Sequence, residues 1–313
     1  MTKPYVIGID IGGTNTSLGL VDRQGNILQH AKLRTGDYEK LEDYIAAMEA
    51  EIVKFGQHAG SDNINGIGVG APNGNYYTGE IVDAANLRWK GAIPMADMMS
   101  KTLGHKVTLT NDANATAVGE MMYGAAKGMR DFLVVTLGTG VGSGFVANGQ
   151  VIYGYTGFAG ELGHVTVEHN GRLCGCGKRG CMERYCSATG IVITANEWLE
   201  QRTESSLLRD AKGPMTAKYI HEAADAGDEL AIEIFEYTGM ILGQALANAV
   251  AITSPQAIIL FGGLAKSGEL LFRPVRKYME ENLLNVFRGT VAILPSSLPE
   301  ADAAILGASA LAW

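Results

Sequence analysis

Short apolar runs joined by glycine-rich turns dominate the N-terminal part of the sequence. The segment YVIGIDIGGTNTSLGLVDRQGNIL, residues 5–28, has one apolar run at 6–11 and another at 17–21. Each run predicts a buried strand, and Gly12-Gly13-Thr14 predicts a tight turn between them. A second turn is expected at 22–26. The segment therefore predicts antiparallel strands around a glycine turn.

The same pattern returns in FLVVTLGTGVGSGFVANGQVI, residues 132–152. A predicted strand at 132–137 leads into Gly138-Thr139-Gly140, and a further strand ends at Asn148-Gly149. Two copies of strand, glycine turn and strand indicate a duplicated α/β domain with one phosphate-binding turn in each half. Coincidence is the alternative interpretation, because glycine hairpins are common.

The rest of the chain alternates between helical and strand-like spacing of apolar residues. Helices are predicted at 41–55, 113–123, 190–208, 216–252 and 301–313, and strands at 66–70, 107–110 and 257–263. Strands that alternate with helices favour α/β layers.

Length and composition restrict the class of protein. A chain of 313 residues is expected to hold two domains. The net charge of −8 is spread along the chain, and no basic tract predicts binding to nucleic acid or to an anionic membrane. The apolar run at 239–252 contains Gln244 and Asn248 and is expected to be too short for a bilayer. The N-terminal residues do not have the pattern of a signal peptide. We therefore expect a soluble, cytoplasmic protein.

The two glycine turns are candidate phosphate sites. Backbone N–H groups in such turns point towards one ligand, and a threonine hydroxyl adds a donor. Asp10 ends its predicted strand beside the first turn, where a carboxylate can hold Mg²⁺. Two such turns in one chain favour a nucleotide ligand.

Asn111 and Asp112 lie between a predicted strand and a predicted helix. One interpretation is structural, because aspartate is a common residue at a helix N-cap. The other is catalytic, because a carboxylate at this point can take a hydroxyl proton during phosphoryl transfer. The spacing alone leaves both open.

All four cysteines lie in one short segment, GHVTVEHNGRLCGCGKRGCMERYC, residues 163–186. Cys174, Cys176 and Cys181 together with His164 offer three thiolates and an imidazole, a set suited to tetrahedral Zn²⁺. Four protein ligands leave no position for an activated water, so such a zinc would be structural. A redox cluster and the absence of any metal are the alternatives. His169 is a rival fourth ligand, and Cys186 is expected to lie outside the site.

Taken together, these residues resemble the ROK family of bacterial sugar kinases along the whole chain. The motifs are DIGGT at 10–14, NDAN at 111–114, LGTGVGSG at 137–144, GELGH at 160–164, CGCGKRGCME at 174–183 and FGG at 261–263. The resemblance implies an actin-like ATPase (ribonuclease H-like) fold with two duplicated α/β domains around a cleft. The expected domains are 1–116 plus 298–313, and 117–297 with the zinc motif.

The resemblance also implies an activity: transfer of phosphate from ATP, with Mg²⁺, to the 6-hydroxyl of a hexose. By motif position Asp112 is the catalytic base. The sugar ligands are Asn111, Asp112, Glu161, His164 and Glu183. The nucleotide and Mg²⁺ ligands are Asp10, Gly12, Gly13, Thr14, Thr139, Gly140, Gly262 and Gly263. The zinc ligands are His164, Cys174, Cys176 and Cys181. A glycolytic role and a homodimer are expected from the same resemblance.

Glucose is the expected substrate, followed by N-acetylglucosamine or N-acetylmannosamine, and then by fructose or allose. The loop GAPNGNYY, residues 70–77, departs from the Pro-Gly-Pro pattern usual in the family, so Asn73 and Tyr76 leave the choice of sugar open. A different class is a sugar-responsive transcription regulator that lacks its DNA-binding module. Only about six residues precede the first predicted strand, which favours the kinase.

Overall fold

The computed structural model describes residues 3–299 and 301–313, and two five-stranded sheets organise them. The strands are β1 (Tyr5–Ile11), β2 (Thr16–Asp22), β3 (Ile27–Leu33), β4 (Ile64–Gly70), β5 (Ile81–Val82), β6 (Ala92–Ile93), β7 (Val107–Thr110), β8 (Phe132–Leu137), β9 (Val141–Ala147), β10 (Gln150–Val151), β11 (Ala257–Phe261) and β12 (Ala292–Pro295). The α-helices are α1 (Leu41–Ala59), α2 (Met95–Leu103), α3 (Asp112–Tyr123), α4 (Glu183–Cys186), α5 (Ala188–Gln201), α6 (Ala217–Asp225), α7 (Glu229–Thr253), α8 (Glu269–Asn282) and α9 (Ala303–Ala310).

The two sheets have corresponding orders. The first is β3-β2-β1-β4-β7, in which β1 is antiparallel to β2 and parallel to β4. The second is β10-β9-β8-β11-β12, in which β11 is parallel to both β8 and β12. Strands β5 and β6 form a separate two-stranded sheet. This correspondence confirms that the repeated sequence pattern reflects two α/β halves.

The chain divides into two compact units. The first comprises Met1–Met129, Gly144–Gly160 and Ser296–Trp313, and the second comprises Arg130–Ser143 and Glu161–Pro295. The division expected after residue 116 would fall inside α3, which belongs entirely to the first unit. Residues 144–160 also belong to the first unit, although the expected second domain included them.

Helix α9 packs directly on the first sheet. A Cβ atom on Gly8 of β1 would overlap the Ile305 carbonyl oxygen, and one on Gly68 of β4 would overlap that of Ala308. Glycine at both positions lets the helix backbone approach the strands closely. The C-terminal helix thereby covers the strands that lead to Asp10 and to the loop after β4.

Helix α7 differs from its sequence-based expectation. It is 25 residues long, and its most apolar 18 residues have a mean hydropathy of 1.2, so length and composition alone would allow it to cross a membrane. The apolar run at 239–252 is thus only part of a longer helix. However, 67% of those residues are buried in the protein, as in the core helix of a globular domain.

Two predicted helical segments are interrupted. Helix α5 ends at Gln201 instead of continuing to 208, and the segment 216–252 contains two helices. Gly227, with φ of 88°, separates them, and Asp228 caps α7 by accepting a hydrogen bond from the Ala231 N–H. Glycine adopts this left-handed backbone conformation without steric cost.

Candidate active site

In the first unit, Asp10 lies at the end of β1 beside the first glycine turn. Burial raises the pKa of its carboxyl from 3.8 to about 6, and the charge of Asp112 raises it further in the same direction. The turn is closed by a 2.9 Å hydrogen bond from the Gly12 N–H to the Asn15 carbonyl oxygen. Thr14 at the centre of the turn is exposed. The turn and a carboxylate therefore lie together, as the sequence predicts.

The helix-capping role belongs to Asn111 and not to Asp112. Asn111 has extended backbone angles, and its side-chain oxygen accepts a 2.7 Å hydrogen bond from the Asn114 N–H. This bond satisfies one of the unpaired N–H groups at the start of α3. The structural interpretation of Asp112 as the cap is therefore wrong, because the preceding residue already occupies that position.

Asp112 is the first residue of α3. Its Oδ1 accepts a 2.8 Å hydrogen bond from the Ala113 N–H. Solvent reaches the side chain, but the protein atoms around it displace enough water to raise the pKa of the carboxyl, and the backbone hydrogen bond only partly opposes this. A carboxylate with a raised pKa is a stronger proton acceptor, which suits a general base.

In the second unit, the second glycine turn is attached to the segment that carries Glu183. The Val141 N–H donates a 3.0 Å hydrogen bond to Glu183 Oε2. The Thr189 hydroxyl donates to the Thr139 carbonyl oxygen at 2.8 Å, and the Ala188 N–H donates to that of Gly138 at 2.8 Å. The turn and the start of α4 and α5 thus form one hydrogen-bonded assembly.

Gly262 and Gly263 follow β11 in the same unit. Gly262 has φ of 104°, and a Cβ atom on it would lie 2.7 Å from the Leu137 carbonyl oxygen. This close approach ends β11 at Phe261, two residues before the end of the predicted strand. Both glycines therefore lie next to the end of β8, where the second glycine turn begins.

His164, Cys174, Cys176 and Cys181 converge, and their ligand atoms all lie within 4.8 Å of one another. His164 Nδ1 is 3.7 Å from Cys174 Sγ, and Cys176 Sγ is 3.6 Å from Cys181 Sγ. A tetrahedral zinc with Zn–S bonds of about 2.3 Å requires sulfur atoms about 3.8 Å apart. The donor set and its spacing therefore fit Zn²⁺.

The rival ligand His169 lies outside this cluster, and so does Cys186, as expected. His169 is exposed and is not among the converging ligands. Cys186 is buried, and its Sγ faces the Thr238 carbonyl oxygen at 3.7 Å. The cluster therefore consists of the histidine and three cysteines expected from the sequence. Nδ1 is the histidine nitrogen that faces the cysteines.

The segment 161–164 is held against the second glycine turn. The Leu162 N–H donates a 3.1 Å hydrogen bond to Ser143 Oγ, and a Cβ atom on Gly163 would overlap the Val141 carbonyl oxygen. Residues Leu162–His164 form a single 3₁₀ turn. This packing fixes the backbone of His164 independently of any metal.

Arg172 is a structural residue of this site that sequence reasoning missed. Its guanidinium donates to the Arg184 carbonyl oxygen at 2.7 Å, forms an ion pair with Glu197 at 2.5 Å and lies 4.4 Å from the centre of the Tyr185 ring. These contacts attach the cysteine loop to α4 and α5. The partners of Arg172 lie up to 25 residues away from it in the sequence, so no local motif predicts these contacts.

The fold is that of the actin-like ATPases, and similarity to known proteins identifies the family within this fold. The ROK family model matches residues 6–313. A glucokinase of Halalkalibacterium halodurans is 36% identical over 290 residues, which are 90% of this chain and 86% of that protein. A xylose repressor of Bacillus spizizenii is 29% identical over 309 residues, 98% of this chain and 76% of the repressor.

A solved structure gives the same result. The ROK glucokinase of Streptomyces griseus, in complex with glucose and AMPPNP, is 32% identical, with a TM-score of 0.80 over 98% of each chain. The chain belongs to the ROK family.

Proposed function

We propose that this chain is an ATP-dependent kinase that phosphorylates the 6-hydroxyl of glucose. The similarity to glucokinases, one of them bound to glucose and an ATP analogue, supports the activity. The structural observation that carries the proposal is the arrangement at the start of α3. Asn111 caps the helix, so the Asp112 carboxylate is not needed for that role and remains accessible to solvent.

Asp112 would act as the general base. Its carboxylate would accept the proton of the 6-hydroxyl as the hydroxyl oxygen attacks the γ-phosphorus of ATP. Asn111 would help to position the sugar. Its side-chain oxygen accepts the hydrogen bond from the Asn114 N–H, and its amide nitrogen would donate to a sugar hydroxyl. The two residues would thus divide orientation and proton transfer between them.

Glu161, His164 and Glu183 would bind the other sugar hydroxyls. Buried hydrogen-bonding groups discriminate between hydroxyl epimers, because a sugar that lacks the matching hydroxyl leaves them unpaired. Glu183 is suited to this role because the Val141 N–H holds one carboxylate oxygen in place. His164 directs Nδ1 at the cysteines, so Nε2 would be its sugar-binding atom.

Each glycine turn would bind phosphate oxygens of the nucleotide through its backbone N–H groups. The proposed phosphate ligands are Gly12, Gly13 and Thr14 in the first unit and Thr139 and Gly140 in the second. Gly262 and Gly263 would lie nearer the adenosine. Asp10 would hold Mg²⁺, which neutralises charge on the transferring phosphoryl group when bound. The raised pKa of Asp10 supports this role, because a partly buried carboxylate gains from a cation partner.

The zinc site would be structural. Its four protein ligands, His164, Cys174, Cys176 and Cys181, complete a tetrahedral shell and leave no position for a reacting water. A bound zinc would fix the loop between His164 and Glu183. The metal would therefore set the geometry of sugar-binding residues at both ends of that loop.

The biological setting completes the proposal. We place the enzyme in the cytoplasm as a homodimer that supplies glucose 6-phosphate to glycolysis, without nucleic-acid or membrane partners. The spread negative charge of the chain supports the absence of nucleic-acid binding. N-acetylglucosamine and N-acetylmannosamine are the alternative substrates.

A hexose panel tests the proposal. Purified protein is incubated with ATP, Mg²⁺ and each of glucose, N-acetylglucosamine, N-acetylmannosamine, fructose and allose, and ADP release is measured. We expect the highest kcat/KM with glucose. Sugar binding without ADP release from any hexose would instead indicate a sensor or a regulator.

A further inference from the structure

Three tyrosines from two loops of the first unit form an aromatic cluster near the start of α3. The rings of Tyr76 and Tyr153 are stacked, with centroids 4.0 Å apart and planes within 4° of parallel. Tyr77 approaches both rings edge-on, at 5.8 Å from Tyr76 and 6.1 Å from Tyr153. Because the two ring faces are in contact, no ligand can enter between them. The pair therefore forms a continuous surface without a gap.

The two loops are joined by the buried side chain of Asn75, which is 4% exposed. Its amide nitrogen donates a 2.8 Å hydrogen bond to the Thr156 carbonyl oxygen. Its oxygen accepts hydrogen bonds from the Tyr77 and Thr78 N–H groups at 3.0 and 3.3 Å. These bonds fix the backbone on both sides of the tyrosine stack.

Gly157 shows how closely the loops approach. It has φ of 84°, and a Cβ atom on it would lie 2.5 Å from Asn75 Oδ1. Only glycine combines this backbone conformation with this contact. The stack is therefore part of a rigid assembly and does not sit on freely moving loops.

The assembly lies at the carboxyl ends of β4 and β7. The Ala71 N–H donates a 3.0 Å hydrogen bond to the Thr110 carbonyl oxygen, and a Cβ atom on Gly74 would overlap the same oxygen. The side chain of Tyr153 hydrogen-bonds with that of Thr110. Thr110 directly precedes Asn111 and Asp112, so the stack is attached to the strand that leads into the proposed base.

We propose that Tyr76 and Tyr153 form a wall that restricts the acceptor sugar to hexoses without bulky substituents. This inference rests on the proposed function and names its specificity determinant. An acetamido group adds three heavy atoms beyond the position of a hydroxyl, and a wall fixed by Asn75 and Thr110 does not withdraw to admit it. The departure of the loop 70–77 from the usual family pattern is then the source of glucose selectivity.

Replacing the exposed member of the stack tests the wall. Tyr76 is 40% exposed, so Tyr76→Ala is expected to fold, and Tyr76→Leu provides a second, milder truncation. We expect the ratio of kcat/KM for N-acetylglucosamine to that for glucose to rise about tenfold or more in Tyr76→Ala. Tyr153→Phe keeps the ring but loses the hydrogen bond with Thr110, so its ratio should lie between those of the wild type and Tyr76→Ala.

Tyr155→Ala is the matched control, because Tyr155 is a fully exposed tyrosine on the loop of Tyr153 and is not part of the stack. Its ratio should equal that of the wild type. An unchanged ratio in folded Tyr76→Ala and Tyr76→Leu would overturn the wall while leaving the kinase proposal intact. Wild-type enzyme that uses N-acetylglucosamine as well as glucose would also overturn it. Absence of hexose phosphorylation by the wild type would instead refute the proposed function.

Discussion

The Val141 N–H donates a 3.0 Å hydrogen bond to Glu183 Oε2 and thereby joins the second glycine turn to the cysteine segment. The turn is the proposed phosphate site, and Glu183 is a proposed sugar ligand. A carboxylate held by a backbone N–H is fixed in orientation without a further side chain. One short contact therefore links the geometry proposed for the two substrates in this unit.

Gly140→Ala should disturb this link. A Cβ atom at position 140 would overlap Glu183 Oε2 and displace the carboxylate from the Val141 N–H. Loss of a charged hydrogen bond costs about 1.5–3 kcal/mol, so we expect the KM for glucose to rise at least about tenfold. Initial-rate kinetics measures it.

Gly138→Ala is the control for this change. No atom lies within 4 Å of a Cβ atom added at position 138. Its KM for glucose should stay close to the wild-type value. An equally large rise in the KM for glucose in both variants would show that the turn tolerates no alanine. That result would contradict a specific role for the Glu183 contact.

Zinc removal should weaken sugar binding by disordering the segment between His164 and Glu183. Elemental analysis of purified protein should give about one zinc per chain, and Cys181→Ser should lose it. Cys186→Ala should keep the full content, because Cys186 is a buried cysteine of the same segment that faces Thr238 and lies outside the cluster. Fully active protein that contains no zinc would refute the structural role.

Asp10→Asn should stabilise the ligand-free protein at neutral pH while reducing activity. The folded protein raises the pKa of Asp10 from 3.8 to about 6, so ionisation of the carboxyl destabilises the fold increasingly between these pH values and fully above the higher one. The ionised carboxylate lowers the free energy of unfolding by about 3 kcal/mol at pH 7, and this effect disappears as the pH falls towards 3.8. Urea unfolding should therefore show a larger gain for the variant at pH 7.5 than at pH 5. An equal difference at both pH values would contradict the ionisation.

The pH dependence of activity should reflect the raised pKa of Asp112. The base is active as a carboxylate, so kcat/KM for glucose falls as the pH drops through that pKa. We expect the acid limb to lie clearly above the ordinary aspartate value of about 3.9. A profile that stays flat down to about pH 4 would contradict a carboxylate base in this environment.

Much of the fold was predictable because it depends on local patterns. The apolar runs at 132–137 and 107–110 become β8 and β7 with the predicted bounds, since buried strands leave a continuous hydrophobic signal. The break between α6 and α7 was missed, because a helical apolar pattern continues on both sides of Gly227. Gly227, with φ of 88°, separates the two helices, and the Asp228 side chain caps the start of α7.

The site was predictable as a set of motifs but not as a set of contacts. The cysteine spacing predicted that His164 and three cysteines converge, and the family motifs pointed to Asp112 as the proposed base. Arg172, Asn75 and Tyr153 carried no such signal, because each acts through partners that are distant in sequence. The spacing left a cap or a base open for Asp112, since Asn111 and Asp112 are both good capping residues and only the structure shows that Asn111 is the cap.

Asp112→Asn tests the central claim most directly. The substitution preserves the shape of the side chain and removes its ability to accept a proton, while Asn111 continues to cap α3. We predict a fall in kcat of about 10²–10⁴-fold, with the dissociation constant for glucose, measured by calorimetry, within a few-fold of the wild-type value. Near-normal turnover in the folded variant would contradict the assignment of Asp112 as the base.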